Sequence, residues 1–419
     1  MINDSLTSLV SNMGNKQRDK LASTSYSAVI LSDSELINAY HNSWVARRLV
    51  DIPAKDAIKN WRMWQTDNEN LNAIEREEAR LGIQQKLLQA QKLARVLGGA
   101  AIYIGTNDKD LSKPLDPSRI GTGGVRYLTV MDKNALTATE FDNDVTSEFY
   151  GSYAYYEVVN GTQKVKIHPS RFILLKGEMR VANTSGWGSS VIQSAYNWAR
   201  HADSTAHNIA NLIFEATINV FKIPDLFHRL GDVDEENTVM KRLTLASASK
   251  GITGDLVMDS EEDFIRTSAN FGGLSDILDR FIVYVGASQG IPASKFLGQA
   301  NKGFGDGEDL ITNYYDDIRV MQTLELTPAL RVFDECLVRS AIGHYPDNIS
   351  YLWSPLEQQN AGEIANTGKA FAEMGNTLVS GGMFEPQEVR LALINQLVNT
   401  DVLPNLGDVV DELDDDLQS

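Results

Sequence analysis

The side chains able to do chemistry are few and dispersed in this sequence. Six histidines, His41, His168, His201, His207, His228 and His344, are scattered along the chain. His201 and His207 are six residues apart and off-register for one helical face, and no H-E-x-x-H run appears. The single cysteine, Cys336, falls in FDECLVRS at an amphipathic helical position, which suits a buried, inert thiol better than a nucleophile. It has no partner for an intrachain disulfide and cannot build a cysteine-based zinc site, so a reducing compartment is expected. No G-x-S-x-G elbow is present. The glycine-rich run NKGFGDGEDL lacks both the GK[ST] ending of a phosphate loop and the G-x-G-x-x-G spacing, and it follows a helix where a strand is needed. Its carboxylates Asp306, Glu308 and Asp309 are of the right type for Mg²⁺, but nothing in the sequence makes them converge. The plainer reading is a flexible loop capped by Asp306 or Asp309 at the next helix start. No metal, cofactor or catalytic residue is expected.

The elements that hold these residues alternate in type. The first 30 residues are polar and aperiodic and read as a flexible arm. Ser32 or Ser34 can cap a helix through Leu36, Tyr40, Trp44, Leu49 and Ile52, and Pro53 suits the first turn of a second helix reaching Trp61. Trp44, Trp61 and Trp64 predict one packed cluster. Residues 67 to 97 read as one long helix ended by Gly98 and Gly99. Short β-branched and aromatic runs follow up to Met179: AAIYIGT, VRYLTVMD, EFYGSYAYYEVV and KVKIHPSRFILLKGE. Beyond residue 185 the order is nested. It comprises a helix over 189 to 216, a small insert opened by the strand TINVFKIPDL and containing a helix at 234 to 249, and a second helix in FGGLSDILDRFIVYVGASQG. Next come the glycine loop and a long helix that Pro328 should kink near Leu324 to Thr327. A strand, ISYLWSPL, precedes terminal helices and an acidic end.

With 419 residues the chain has room for two or three structural units. Apolar residues make up 42% and charged residues 22%, which excludes wholesale disorder. No stretch approaches the roughly 20 apolar residues of a membrane span, and the start lacks a leader-like pattern, so cytosol-like conditions are expected. Fifty-six acidic residues against 38 basic give a net charge of −18. Taken alone, that balance excludes a protein that wraps nucleic acid or coats an anionic membrane.

The segments AYHNSWVARRLVDIPAKDAIKNWRMW, GWGSSVIQSAYNWA, NIANLIFEATINVFKIPDL, VGASQGIPASKFLGQANKGFGDGEDLITNYYDDIRVMQ and LTPALRVFDECL occur in this order. Together they resemble the portal (head-tail connector) proteins of tailed bacteriophages over about residues 30 to 400. The most specific part runs from Gly290 to Gly298 and on through Gln322 and Pro328. The resemblance implies an α+β portal fold with a mixed α/β wing, a helical stem, a small α/β clip and a helical C-terminal crown. On this sequence it implies a flexible N-terminal arm (1–30), wing (31–187), first stem helix (188–216), clip (217–270) and second stem helix (271–290). A tunnel loop (291–308), a kinked wing helix and strand (309–355) and a crown with an acidic tail (356–419) complete it.

The function implied is that of a ring of about twelve subunits at one capsid vertex of the virion, assembled in the host cytoplasm. It conducts double-stranded DNA in packaging and ejection without catalysis of its own. Partners implied are the terminase large subunit, a head-completion adaptor, and the major capsid and scaffolding proteins, with no membrane. An acidic lumen suits a conduit, because every phosphate neutralised by Lys or Arg tightens a grip that sliding must break. Lys295 and Lys302 of the tunnel loop are the expected DNA contacts, against the alternative that they are solvated or paired with Asp306 and Glu308 of a neighbour. Leu226, Phe227, Asp232, Asp234, Glu235 and Glu236 are the expected partner surface of the clip, or else a solvated helix start. From a different class, a metal-dependent phosphodiesterase or nuclease using carboxylates around Asp306 stays open. Seven of the acidic residues, Asp401, Asp408, Asp411, Glu412, Asp414, Asp415 and Asp416, lie beyond the last basic residue, Arg390.

Overall fold

The computed structural model describes residues 30–146, 152–160, 163–179, 186–214, 217–222, 263–268, 273–298, 307–346, 349–357 and 361–382, with isolated positions besides. The chain divides into two compact units, residues 196–285 and the remainder. Both are mixed α and β.

In the larger unit, α1 (Asp33–Asn42) starts at Ser32, whose hydroxyl accepts from the Glu35 amide while the Glu35 carboxylate accepts from the Ser32 amide. Ser43 caps α2 (Trp44–Lys59) in the same manner by accepting from the Ala46 amide. Pro53 therefore lies inside α2 and does not open it, because the Ser43 cap starts the helix nine residues earlier. A proline lacks the N–H that the carbonyl four residues back requires. Here that carbonyl belongs to Leu49, and Arg95 Nη2 supplies the missing donor at 3.1 Å. The helix expected to reach Trp61 ends at Lys59, and the chain then forms β1 (Arg62–Gln65), which pairs antiparallel with β10 (Ser350–Trp353) from far along the sequence.

The expected helix over 67–97 is two helices, α3 (Asn68–Leu81) and α4 (Ile83–Leu97). Gly82 divides them in a left-handed conformation, φ +63°, where its amide closes the end of α3. After Gly98, β2 (Gly99–Gly105) is buried along its whole length between β3 (Tyr127–Asp132) and β7 (Phe172–Lys176), all antiparallel. A second sheet holds β4 (Leu136–Phe141), β5 (Tyr153–Asn160) and β6 (Gln163–Ile167). Tyr103, Leu136, Tyr156, Ile167, Phe172 and Trp187 pack into one core from both sheets.

In the smaller unit, α5 (Val191–Phe214) is followed by β8 (Thr217–Lys222), which pairs with β9 (Asp263–Ser268), and then by α6 (Leu274–Ala287), both helices extending slightly beyond the unit's limits. Trp198 meets Phe281 and Tyr284 with ring centroids 6.3 and 5.2 Å apart. The larger unit resumes with α7 (Ala293–Leu297), α8 (Gly307–Val320), a π-helical turn at Met321–Leu326, α9 (Thr327–Ile342), β10 and α10 (Ala361–Ser380). The π-turn falls where Pro328 was expected to disturb the helix. Its widened register is visible where the Thr327 amide donates to the Gln322 carbonyl, five residues back. No helix among the described residues is long and apolar enough to cross a membrane.

Candidate functional site

The segment between α6 and α8 is where the sequence concentrated its functional expectations. Its first part is tightly built. The Ile291 amide donates to the Gly286 carbonyl at 3.0 Å, and Phe296 is fully buried with its ring against Gly286. Gly290 and Gly298 bracket α7 at φ +65° and +73°, conformations that a side chain would strain. Residues 293–297, within the span 291–308 read as the tunnel loop, are helical.

Lys295 lies in this helix with its ammonium fully engaged. It pairs with Asp56 Oδ2 at 2.8 Å, donates to the Tyr315 hydroxyl at 2.9 Å, and stands 4.9 and 4.3 Å from the ring centroids of Tyr314 and Tyr315. Its own carbonyl accepts from Arg48 Nη2 at 3.1 Å. Tyr314, buried in α8, donates to the same Asp56 oxygen at 2.8 Å, and burial with the neighbouring carboxylate pushes its phenol well above the ordinary range. Lys59 approaches the other Asp56 oxygen at 3.2 Å.

One carboxylate of α2 thus ties together α7 and α8, the two elements that flank residues 299–306. The arrangement anchors both ends of that segment to a rigid helix. Sequence reading missed Asp56, Tyr314 and Tyr315, whose only signal was a Tyr-Tyr pair on a helix; Lys295 was expected to contact DNA, or else to be solvated or paired with Asp306 and Glu308 of a neighbour, and here it pairs with Asp56 of its own chain.

Lys302 and Asp306 lie outside the described residues, as do Leu226, Phe227, Asp232, Asp234, Glu235 and Glu236, the 234–249 helix, the N-terminal arm and the acidic end. Asp309 is exposed on α8. Among the described residues no group of three His, Cys, Asp or Glu side chains is disposed to hold a metal ion. His168 serves structure, its Nδ1 accepting from the Ser170 amide at 3.2 Å. Cys336 is buried, and burial pushes its thiol up to about 12, far from the thiolate a nucleophile needs. Trp61 and Trp64 share one buried cluster, whereas Trp44 is half exposed and stands apart from it.

The fold resembles that of a chain in the neck of a native gene transfer agent particle solved with C12 symmetry. The TM-score is 0.53 at 13% identity, covering 89% of this chain and 96% of that one. The family model for phage portal proteins matches residues 34–377, and the chain belongs to that family. Among relatives, a Caulobacter sp. (strain RHG1) protein named anti-CBASS protein Acb1 is 34% identical over 98% of this chain and 68% of its own length. About a third of that protein therefore lies outside the match. An uncharacterised Haemophilus influenzae protein is 27% identical over 98% of this chain and 93% of its own.

Proposed function

We propose that this chain is the subunit of a portal ring of about twelve copies at one vertex of a phage particle. The ring is a conduit for double-stranded DNA during packaging and ejection, and a docking site for the terminase and the head-completion adaptor. Family membership carries the reading, and the C12 symmetry used for the similar neck structure speaks for the copy number.

The helices of the smaller unit support ring formation independently. Trp198 and Leu212 are two heptads apart on α5, Ile277 and Tyr284 one heptad apart on α6, and all four are 42 to 47% exposed. Trp198 and Tyr284 meet across the two helices, whereas Leu212 and Ile277 leave apolar surface open to another chain. The overall charge of −18 suits a channel that DNA must slide through.

Lys302 is the DNA contact in this reading, borne by the segment whose two ends Asp56 secures. Lys295 contributes by anchoring that segment. Native mass spectrometry of the purified chain should give a ring of about twelve subunits, and particles carrying Lys302→Glu should retain less DNA with rings intact. A monomer or dimer with Mg²⁺-dependent cleavage of nucleic acid would overturn the proposal in favour of a nuclease, and unchanged DNA content would reject the role of Lys302.

A further inference from the structure

The larger unit holds a recess of about 750 Å³ between α9, β7 and the facing ends of β4 and β5, with Phe141, Tyr153, Tyr156, Leu174, Pro114 and Pro117 on its walls. Phe141 reaches that wall against the pattern of its strand. Leu136 and Ala138 turn to the core, so a period of two sends Phe141 to the opposite face with Thr137 and Thr139. Between them Glu140 is left-handed at φ +57°, alone among the described residues that are not glycine. That conformation is strained in a residue with a side chain. It breaks the alternation and sets Phe141 against Tyr153, ring centroids 5.6 Å apart, on the side where Tyr153 packs on the core. Phe141 nevertheless stays 45% exposed, so the chain bends a strand toward a recess that its described residues leave unfilled.

Three ionised groups line the recess: Arg331, Lys176 and Glu335. Glu335 is already held by Arg339 at 3.0 Å, whereas the side chains of Arg331 and Lys176 form no hydrogen bond or ion pair among the described residues. Lys176 also borders a second recess, beside the π-turn, that contains Arg95, Glu178 and Glu325. Even where Lys176 turns toward those carboxylates, Arg331 remains as uncompensated positive charge. The occupant must therefore bring carboxylates and apolar side chains together. Duplex DNA offers phosphate without apolar side chains, and residues 1–29, with Lys16, Arg18 and Lys20 against Asp4 and Asp19, have the wrong sign. Residues 391–419 carry seven acidic groups and no basic one, and within them DVVDELDDD interleaves Val409, Val410 and Leu413 with acid. They belong to the same unit as the recess. The 18 residues from Arg390 to Asp408 span about 60 Å when extended, against a radius of gyration of about 20 Å for a compact unit of this length. A tether of that size also holds the segment at an effective concentration on the order of millimolar, above that of any free competitor of equal affinity. We propose that residues 408–416 dock in this recess of their own chain, with carboxylates on Arg331 and Lys176 and Leu413 on the Phe141 wall. The assignment concerns a single chain and does not depend on the ring.

The test uses the full chain with p-benzoylphenylalanine in place of Phe141, prepared as a mixture of light and heavy isotope-labelled protein, irradiated and digested. Adducts are expected on residues 408–416 with both peptides of one label, hence from one chain. Their yield should fall about fivefold in Arg331→Glu and return in Arg331→Lys. Arg331 is exposed, so neither variant should shift the thermal melt. Adducts that pair light with heavy peptides, that form on added duplex DNA, or that miss residues 408–416 altogether would overturn the assignment, as would a yield indifferent to Arg331→Glu. If Arg331→Glu melts early, Asp411→Asn combined with Glu412→Gln leaves the recess intact and must produce the same loss of adduct; an unchanged yield in that variant overturns the docking.

Discussion

Arg62 carries one positive charge into a space that holds two carboxylates. Its Nε and Nη2 donate to Glu78 Oε1 at 3.0 and 2.9 Å, and its Nη1 pairs with Asp334 Oδ1 at 2.5 Å. Glu78 is further satisfied by Trp61 Nε1 at 2.8 Å and Trp64 Nε1 at 3.2 Å, while the guanidinium lies 4.6 Å from the Tyr351 ring centroid. Asp334 is the less supported anion of the two, and burial pushes its carboxyl up to about 6. In the unfolded chain it ionises near 3.8. The stabilisation from its protonated form is thus complete below 3.8 and is lost as pH rises through 6, at a cost on the order of 3 kcal/mol. Asp334→Asn removes that titration. Its melting temperature relative to wild type should climb between pH 5 and pH 7.5, and parallel pH profiles would reject the assignment. Sequence alone flagged Trp61 and Trp64 as clustered but offered no sign that Asp334, 272 residues beyond Arg62, completes the group.

Two glycines flank α4 and separate backbone conformation from packing at the scale of an element. Gly82 has φ +63° and open space where a methyl would go, so Gly82→Ala should cost only the strain of a left-handed residue, about 1 kcal/mol. Gly98 has φ +87°, and a methyl there would meet the Gly188 carbonyl, where the chain crosses within contact of itself. Gly98→Ala should deplete soluble protein, since backbone cannot yield as a flexible side chain does; equal melting losses for the two variants would show that no such crossing matters. Both glycines are legible as helix breakers only in part. Gly98 and Gly99 together stop a helical pattern, whereas a lone Gly82 inside continuous 3.6 periodicity does not reveal a break.

For the whole molecule, the open apolar surface at Leu212 on α5 and Ile277 on α6 makes assembly the property most exposed to change. Leu212 and Ile277 each leave nearly half their surface uncovered, so Asp at either position should spare the monomer and weaken each ring interface by about 2 kcal/mol. Native mass should then move from rings toward monomers at the same protein concentration, with the circular dichroism unaltered. Rings of wild-type stability in both variants would locate the subunit contacts elsewhere.

Periodicity and caps are local, and so the sequence by itself narrowed the first cap to Ser32 or Ser34 and determined most strands, the paired helices around an insert, and the disturbance before Pro328. Ordered segments such as VGASQGIPASKFLGQANKGFGDGED were enough to place the chain among portal proteins. Only the tertiary structure decided that Lys295 is an anchor held by Asp56, that Arg95 answers the carbonyl Pro53 leaves open, and that β1 exists at all. These depend on partners that come close only after folding: RMWQ becomes a strand because Ser350–Trp353 lies beside it, and a lysine among glycines becomes fixed because α2 brings a carboxylate within 2.8 Å.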